Sequence, residues 1–300
     1  MTEPSLLLLV PAYNEERRIG PVLRDYAQYF KDHYTGKFQI VVVLNGCVDN
    51  TIGVVQEVAK DFPNIRPLEF PAAIGKGGAL IEGLRLAPQG DLIGYVDADG
   101  STPPAAFYEL VKRTNEADCV IGSRWLPGAV LHQAQTGQRQ AASRVFHFIV
   151  QLLFRMNIRD TQCGAKVMHR EAVEKVHSSL RIADWAFDIN LLYSLHRAGY
   201  RILEVPTEWT DRIGSKVALG RTSLVMFLSA IRIRLIYWPL IYRWLGPLRP
   251  LEGWIYRKLR QPQPRPRPRP GAEAPSQTAV NEPPALVGAD RKSEKKDGAA

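Results

Sequence analysis

The 300-residue chain is 45% hydrophobic and 9% aromatic, enough for one large or two small domains with a buried core. Its three cysteines, Cys47, Cys119 and Cys163, are scattered with no Cys-x-x-Cys, which argues against a disulfide framework or a zinc site and for a reducing compartment. The net charge of +9 is localised: residues 212–260 carry ten Lys and Arg against one acid, residues 261–300 a net +2, and everything else a net −2.

The start of the chain, Met1-Thr2-Glu3-Pro4-Ser5, has no basic region, and Leu6–Val10 is too short an apolar run for a signal peptide. Leu6 to Pro11 reads as a first strand, and Pro11-Ala12-Tyr13-Asn14-Glu15-Glu16 leads into an amphipathic helix to about Phe30, with Asn14 a plausible N-cap. Phe38 to Leu44 is a second strand. The turn-like Asn45-Gly46-Cys47-Val48-Asp49-Asn50 follows, and Asp49 or Asn50 could cap a helix running to Asp61. Ile65 to Phe70 is a weak third strand, and Gly75-Lys76-Gly77-Gly78 opens a helix to about Leu86. That tetrapeptide lacks P-loop spacing, and no Gly-x-Gly-x-x-Gly follows the first strand, which weakens a dinucleotide-dehydrogenase reading. Lys76 could meet a phosphate or sit solvated in a flexible turn.

The fourth strand, Asp91 to Val96, ends at Asp97-Ala98-Asp99-Gly100. Two carboxylates just past a buried strand repel each other unless a cation lies between them. A small set of oxygen ligands suits Mg²⁺ or Mn²⁺ and leaves room for substrate phosphates. Asp-Ala-Asp-Gly is also good turn chemistry, so a solvated turn stays open. Pro103-Pro104 begins a helix, Cys119 to Gly122 is a fifth strand, residues 124–140 are loop-like, and Ala141 to Met156 is helical. Asp160 to Lys166 is a polar turn into a short strand. Trp185-Ala186-Phe187-Asp188 starts a helix to about Ala198, and Arg201 to Thr207 is a last strand. Taken alone, Asp188 is a helix-dipole partner, and the single arginines Arg124, Arg139 and Arg144 are either solvated or forks for an anion. Alternating strands and helices predict an α/β fold with a mostly parallel sheet flanked by helices.

Taken together, Pro11-Ala12-Tyr13-Asn14-Glu15-Glu16, Gly75-Lys76-Gly77-Gly78-Ala79, Asp97-Ala98-Asp99-Gly100 and Gly122-Ser123-Arg124 form a pattern. It continues through Asp160-Thr161-Gln162-Cys163-Gly164-Ala165-Lys166, Ala186-Phe187-Asp188 and Val205-Pro206 to Trp209 and Gly214-Ser215-Lys216. This pattern resembles family 2 glycosyltransferases of GT-A fold, most of all the dolichyl-phosphate β-glucosyltransferase and polyprenyl-phosphate sugar transferase subgroup. The resemblance implies an inverting hexosyltransferase with a nucleotide-sugar donor, glucose favoured, a polyprenyl-phosphate acceptor, and Mg²⁺ or Mn²⁺ at Asp97 and Asp99. It further implies that Pro11, Tyr13, Asn14, Glu15, Asn45, Lys76 and Asp97 bind the donor. Arg124, Arg139, Ser143 and Arg144 would meet the acceptor phosphate, and Asp97, Asp99 and Asp188 would form the catalytic set. One departure is Asn45, where such enzymes carry an Asp that meets the base or ribose; Asn retains a donor and an acceptor.

Thr222 to Ile231 and Leu235 to Tyr242 are apolar runs separated by Arg232 and Arg234, and neither reaches the ~20 residues that span a bilayer. Trp, Tyr and Arg beside Leu and Ile fit helices lying in a membrane interface, divided at Pro239; a core helix followed by a solvated one is the alternative. The expected organisation is a catalytic domain over 1–216, a membrane-surface segment over 217–260 and a disordered Pro/Arg-rich and polar tail over 261–300. The expected location is the cytoplasmic face of a membrane, peripheral or monotopic, with no nucleic-acid partner. Competing readings are a GDP-mannose-dependent mannosyltransferase, a non-catalytic sugar-nucleotide-binding relative, and a basic adaptor whose binding ignores Asp97 and Asp99.

Overall fold

The structure is a computed structural model. It describes residues 3–237 except 133–136, 183, 185 and 211–218, with backbone alone for 137–143 and 219–225. Trp185, Gly214-Ser215-Lys216, the side chains of Arg139 and Ser143, the remainder of the expected membrane segment and the tail therefore lie outside the described residues.

The chain runs β1 (Leu6–Ala12), α1 (Ile19–His33), β2 (Phe38–Asn45), α2 (Thr51–Asp61), β3 (Ile65–Phe70) and α3 (Lys76–Leu84). It continues through β4 (Leu92–Tyr95), α4 (Pro104–Lys112), β5 (Cys119–Ser123), β6 (Val130–Leu131) and α5 (Gly137–Phe154). Then come β7 (Lys166–His169), α6 (Arg170–His177), α7 (Phe187–Arg197), β8 (Ile202–Pro206), β9 (Glu208–Trp209) and α8 (Leu219–Ile236). The main sheet has the order β3-β2-β1-β4-β7-β5-β8, with β7 antiparallel to both its neighbours and the other pairings parallel.

The unbroken apolar run of β1 follows from burial on both faces of the sheet. Successive side chains alternate between faces. Leu6, Leu8, Val10 and Ala12 pack with α1, α2 and α4. Leu7 and Leu9 pack on the opposite face, in a core to which α3, α5, α6, α7 and α8 contribute. Helix α8 enters that core through Ala230 and Ile233, and the Tyr237 hydroxyl bonds Asn190 and Ser194 on α7.

Two local expectations change and one narrows to a single residue. Asn14 does not cap α1, which begins at Ile19. Its backbone is left-handed at φ 56°, and its side-chain oxygen accepts from the Val48 N–H at 2.8 Å. At α2 the Asp49 carboxylate accepts from the Thr51 N–H at 3.1 Å, whereas Asn50 makes no side-chain cap bond. The loop-like stretch 124–140 contains β6, which pairs with β9 nearly eighty residues on, and α6 was not expected at all. Such long-range pairing leaves no local periodicity to read.

Candidate active site

The carboxyl ends of β1, β2 and β4 meet on one edge of the sheet, where open α/β sheets bind ligands. After β1, the Tyr13 hydroxyl is buried without a hydrogen-bond partner among the described residues. The Glu15 carboxylate is clasped by Arg18 at 2.7 and 2.8 Å, and its backbone N–H donates to Thr51 Oγ1 at 2.9 Å. Burial holds the Glu15 pKa above the usual carboxylate value despite Arg18, with Asp99 and Asp49 adding to the shift. At the end of β2, Asn45 is buried and its Oδ1 accepts from the Ile74 N–H at 2.7 Å. That bond ties the strand end to the loop presenting Gly75 and Lys76.

Asp97 and Asp99 follow β4 as expected, and the first is half-buried and paired. Lys76 Nζ lies 2.5 Å from Asp97 Oδ1, the two side chains keeping 20% and 25% of their surface exposed. The other oxygen, Oδ2, packs against Gly164, where any Cβ would come within 2.1 Å of it. This close approach is the physical reason for a glycine in Asp160-Thr161-Gln162-Cys163-Gly164. Asp99 Oδ1 accepts from the Ser101 N–H at 2.9 Å.

Asp188, read from the sequence as a lone helix-dipole acid, has close partners. It is 3% exposed, and its Oδ1 accepts from Lys166 Nζ at 2.6 Å and from the Tyr95 hydroxyl at 2.5 Å. Lys166 is itself wholly buried and also donates to the Cys163 carbonyl at 2.5 Å. Burial acts to raise the Asp188 pKa, but Lys166 and Lys76 outweigh it and hold the carboxyl below its usual range. Asp97 comes out the other way: burial raises it, Lys76 opposes, and Asp99 and Asp188 add to the rise. Lys76 thus faces the charge of three carboxylates, Asp97, Asp188 and Asp99. One of these already has its own lysine, so the Asp97–Asp99 end is short of positive charge. A hard divalent ion taking its remaining ligands from phosphate and water fits that donor set. Among the described residues no group of three or more His, Cys, Asp or Glu converges to hold a metal unaided.

Across β7, Arg124 follows β5 and is not the solvated single arginine that the sequence allowed. Its Nε and Nη2 reach Asp160 at 2.7 and 2.9 Å, its backbone N–H donates to the same carboxylate at 2.9 Å, and its guanidinium lies 4.9 Å over the Trp209 ring. Arg124 offsets the burial of Asp160 and keeps its pKa below the usual range. The charge of Asp97 also acts on Arg124, so the two clusters share one field. Ser123 Oγ, Gln162 Nε2 and Trp209 Nε1, in or beside this pair, are buried without partners among the described residues. Arg144 is exposed on α5, and Arg139 and Ser143 are outside the described side chains.

The glycosyl transferase family 2 model matches residues 8–177, a stretch containing Asp97, Asp99, Lys76 and the Arg124–Asp160 pair. The chain belongs to that family. It is therefore a glycosyltransferase. A dolichyl-phosphate beta-glucosyltransferase of Trichomonas vaginalis is 36% identical over 72% of this chain and 68% of its own length, and one of Saccharomyces cerevisiae 30% over 79% and 76%. Glycosyltransferase AglD of Haloferax volcanii is 32% identical over 79% of this chain, which spans 37% of that longer protein. Among solved structures, glucosyl-3-phosphoglycerate synthase of Mycobacterium tuberculosis, crystallised with Mn²⁺, UDP and phosphoglyceric acid, superimposes with a TM-score of 0.56 at 19% identity, covering 77% of this chain and 78% of that one. That likeness establishes the GT-A type of fold for this glycosyltransferase: a mostly parallel sheet flanked by helices.

Proposed function

We propose that this glycosyltransferase moves glucose, with inversion, from a uridine-diphosphate sugar to a polyprenyl phosphate of the dolichyl type at a membrane surface, on its cytoplasmic side. The observation that carries the reading is the charge layout at the sheet edge. An under-neutralised acidic pair, Asp97 and Asp99, stands on one side of β7 and the Arg124–Asp160 pair on the other. The first suits a diphosphate arriving with its cation, the second a phosphate acceptor. Relatives named dolichyl-phosphate beta-glucosyltransferase support the substrates, and the neighbour crystallised with Mn²⁺ and UDP supports the donor class and the ion.

Asp97 and Asp99 would hold Mg²⁺ or Mn²⁺, which when bound neutralises charge building on the leaving diphosphate. Tyr13, Asn14, Glu15, Asn45 and Pro11 border the nucleotide side. Asn14 and Asn45 act through the loops they tie together, since their side-chain oxygens are already engaged. Arg124 steers the acceptor from a guanidinium fixed by Asp160 and Trp209, and Arg139, Ser143 and Arg144, all on α5, would add to the phosphate site. A phosphate monoester has its second pKa near ~6, so at neutral pH its oxygen needs no base. That oxygen attacks the anomeric carbon, the carbon–oxygen bond to the diphosphate breaks, and nucleoside diphosphate leaves with the electron pair. Asp188, locked to Lys166 and Tyr95, orients the site and takes no proton.

The membrane surface has its own support. The exposed large apolar side chains among the described residues are Val130, Leu131, Val145, Phe148 and Leu152. The last three repeat at helical spacing along one face of α5. No acid occurs from Cys119 to Arg159, while five arginines do, which suits anionic headgroups. Among the described residues no helix is long and apolar enough to cross a membrane.

The test is a panel of labelled nucleotide sugars offered with polyprenyl phosphate or the matching free polyprenol. Lipid-linked glucose from UDP-glucose and the phosphate is the expected outcome; comparable reaction of the free alcohol, or preference for GDP-mannose, overturns the reading. Replacing Phe148 and Leu152 together by Glu should lower partition onto anionic vesicles about tenfold, and unchanged pelleting would remove α5 from the membrane face.

A further inference from the structure

We propose that Lys76 is an exchangeable counter-cation: it occupies the cation place at Asp97 in the donor-free protein and yields it only when a nucleotide diphosphate arrives to receive its charge. The inference rests on the nucleotide-sugar reading above and adds to it a part for Lys76 in tying the divalent ion to the donor.

The geometry of Asp97 sets the argument. Its Oδ2 packs against the backbone at Gly164, which is fixed between the Asp160 turn and β7. Its Oδ1 is held by the Lys76 ammonium at 2.5 Å. A divalent ion that takes Oδ1 must displace the ammonium, because two cations at one carboxylate oxygen repel each other strongly in an enclosed site. Of the two contacts, one is to backbone and the other to the end of a flexible side chain, which moves at less cost. Lys76 is the first residue of α3, preceded by Gly75 at φ 83° and followed by Gly77 and Gly78. The pair is also open enough for exchange, with 20% and 25% of the two side chains exposed, whereas Lys166 and Asp188 keep 0% and 5%.

The displaced ammonium needs somewhere to go. Leaving three carboxylates for water is unfavourable, so a bare metal ion competes poorly with it. A diphosphate supplies oxyanions within the reach of a flexible lysine. Donor and metal then bind with positive coupling, and by linkage each raises the affinity of the other equally.

The experiment measures binding and not turnover. Mn²⁺ binding to the full chain is followed by the electron paramagnetic resonance signal of the free ion, without nucleotide and with UDP, correcting for the Mn²⁺–UDP complex formed in solution. For the wild type, UDP should tighten Mn²⁺ binding at least tenfold. Lys76→Met should bind Mn²⁺ alone at least tenfold more tightly than the wild type, with UDP then adding less than threefold. Arg18→Met removes a cation that is held by Glu15 and interacts with Asp99 through space, so it controls for a general field effect. It should change Mn²⁺ affinity less than threefold. Equal Mn²⁺ affinity of the wild type with and without UDP, where equilibrium dialysis of labelled UDP shows the nucleotide bound, overturns the inference, as does Lys76→Met binding no better than the wild type, or Arg18→Met matching it. Should Lys76→Met not fold, Lys76→Gln is judged by the same two thresholds. A wild type that binds no UDP even with Mn²⁺ overturns the donor reading instead, and Mn²⁺ binding by Lys76→Met without nucleotide still judges the lysine.

Discussion

Two lysine–aspartate pairs meet at the end of β4, where Tyr95 bonds Asp188 and Asp97 follows two residues on, and they differ in what they can do. Lys166–Asp188 and Lys76–Asp97 have almost the same separation, 2.6 and 2.5 Å. The first is sealed, with 0% and 5% of its side chains exposed, and is completed by the Tyr95 hydroxyl and the Cys163 carbonyl. The second keeps 20% and 25% exposed and shares its lysine with further carboxylates. Asp188 is accordingly held below its usual pKa and Asp97 above it, burial opposing the charge in both cases. Equal contact distance does not mean equal compensation. A sealed, fully bonded pair fixes a fold, while an open and under-neutralised one is left able to take a ligand.

Breaking the sealed pair should have the largest effect. Lys166→Met leaves Asp188 buried without its cation, a defect that costs about 3–5 kcal/mol when one partner of a buried pair is removed. Urea melts of the two proteins should differ by that amount, and a change below about 1 kcal/mol would mean that water reaches Asp188. Removing charge from the open end should spare the fold and stop the chemistry. Asp97→Asn and Asp99→Asn are each expected to lower turnover about 100-fold or more, in line with lost electrostatic stabilisation at a leaving group. Full activity in EDTA, or in either variant, would show that the acidic pair does not serve the donor.

Much of this was legible because it is written in local pattern. The apolar run of β1, the Pro104 start of α4 and the strand end at Asp97 all announce themselves within a few residues. What was not legible depends on partners far along the chain. Lys166 opens a short strand and reads as an ordinary polar start, since its carboxylate lies twenty-two residues on, past a helix. Arg124 reads as solvated until Asp160 and Trp209 are brought to it by β7 and β9. Asn14 reads as a cap because its residue type favours both caps and left-handed backbone, and only the contact to Val48 decides between them.

pH should separate the pairs by a smaller margin. The Asp188 pKa is lowered from its usual 3.8 in the folded protein. Its contribution to stability is therefore complete above that value and is lost as the pH falls through the folded pKa. Asp160, lowered likewise by Arg124 against its burial, behaves the same way. Asp97 is raised, so its ionisation works against folding at neutral pH and that penalty is relieved on acidification. Stability measured from pH 6 downward should fall less steeply for Asp160→Asn than for the wild type, and no less steeply for Asp97→Asn. A flattened acid limb in Asp97→Asn would place the stabilising charge in the wrong pair.

The smallest expected effect is an absence of rescue. A carboxylate that removes a proton during the reaction can often be replaced, once mutated to the amide, by formate or azide diffusing into the space. Asp188 is the acid in this site whose position could suggest such a role. Its Oδ1, however, accepts from both Lys166 and Tyr95, and the side chain is 3% exposed. A general base must come within hydrogen-bond reach of the proton it takes, with a lone pair free to take it and a pKa near the working pH. Asp188 is held away from that range, and a phosphate acceptor presents no proton to remove. Asp188→Asn should therefore keep measurable turnover, reduced through disturbed positioning, and added formate or azide should change the rate by less than about twofold. The rates of both proteins should fall together below pH ~6, where the acceptor phosphate gains its proton. Recovery of activity with small anions, or loss of that limb in Asp188→Asn alone, would make Asp188 the base and turn the sealed pair into part of the chemistry.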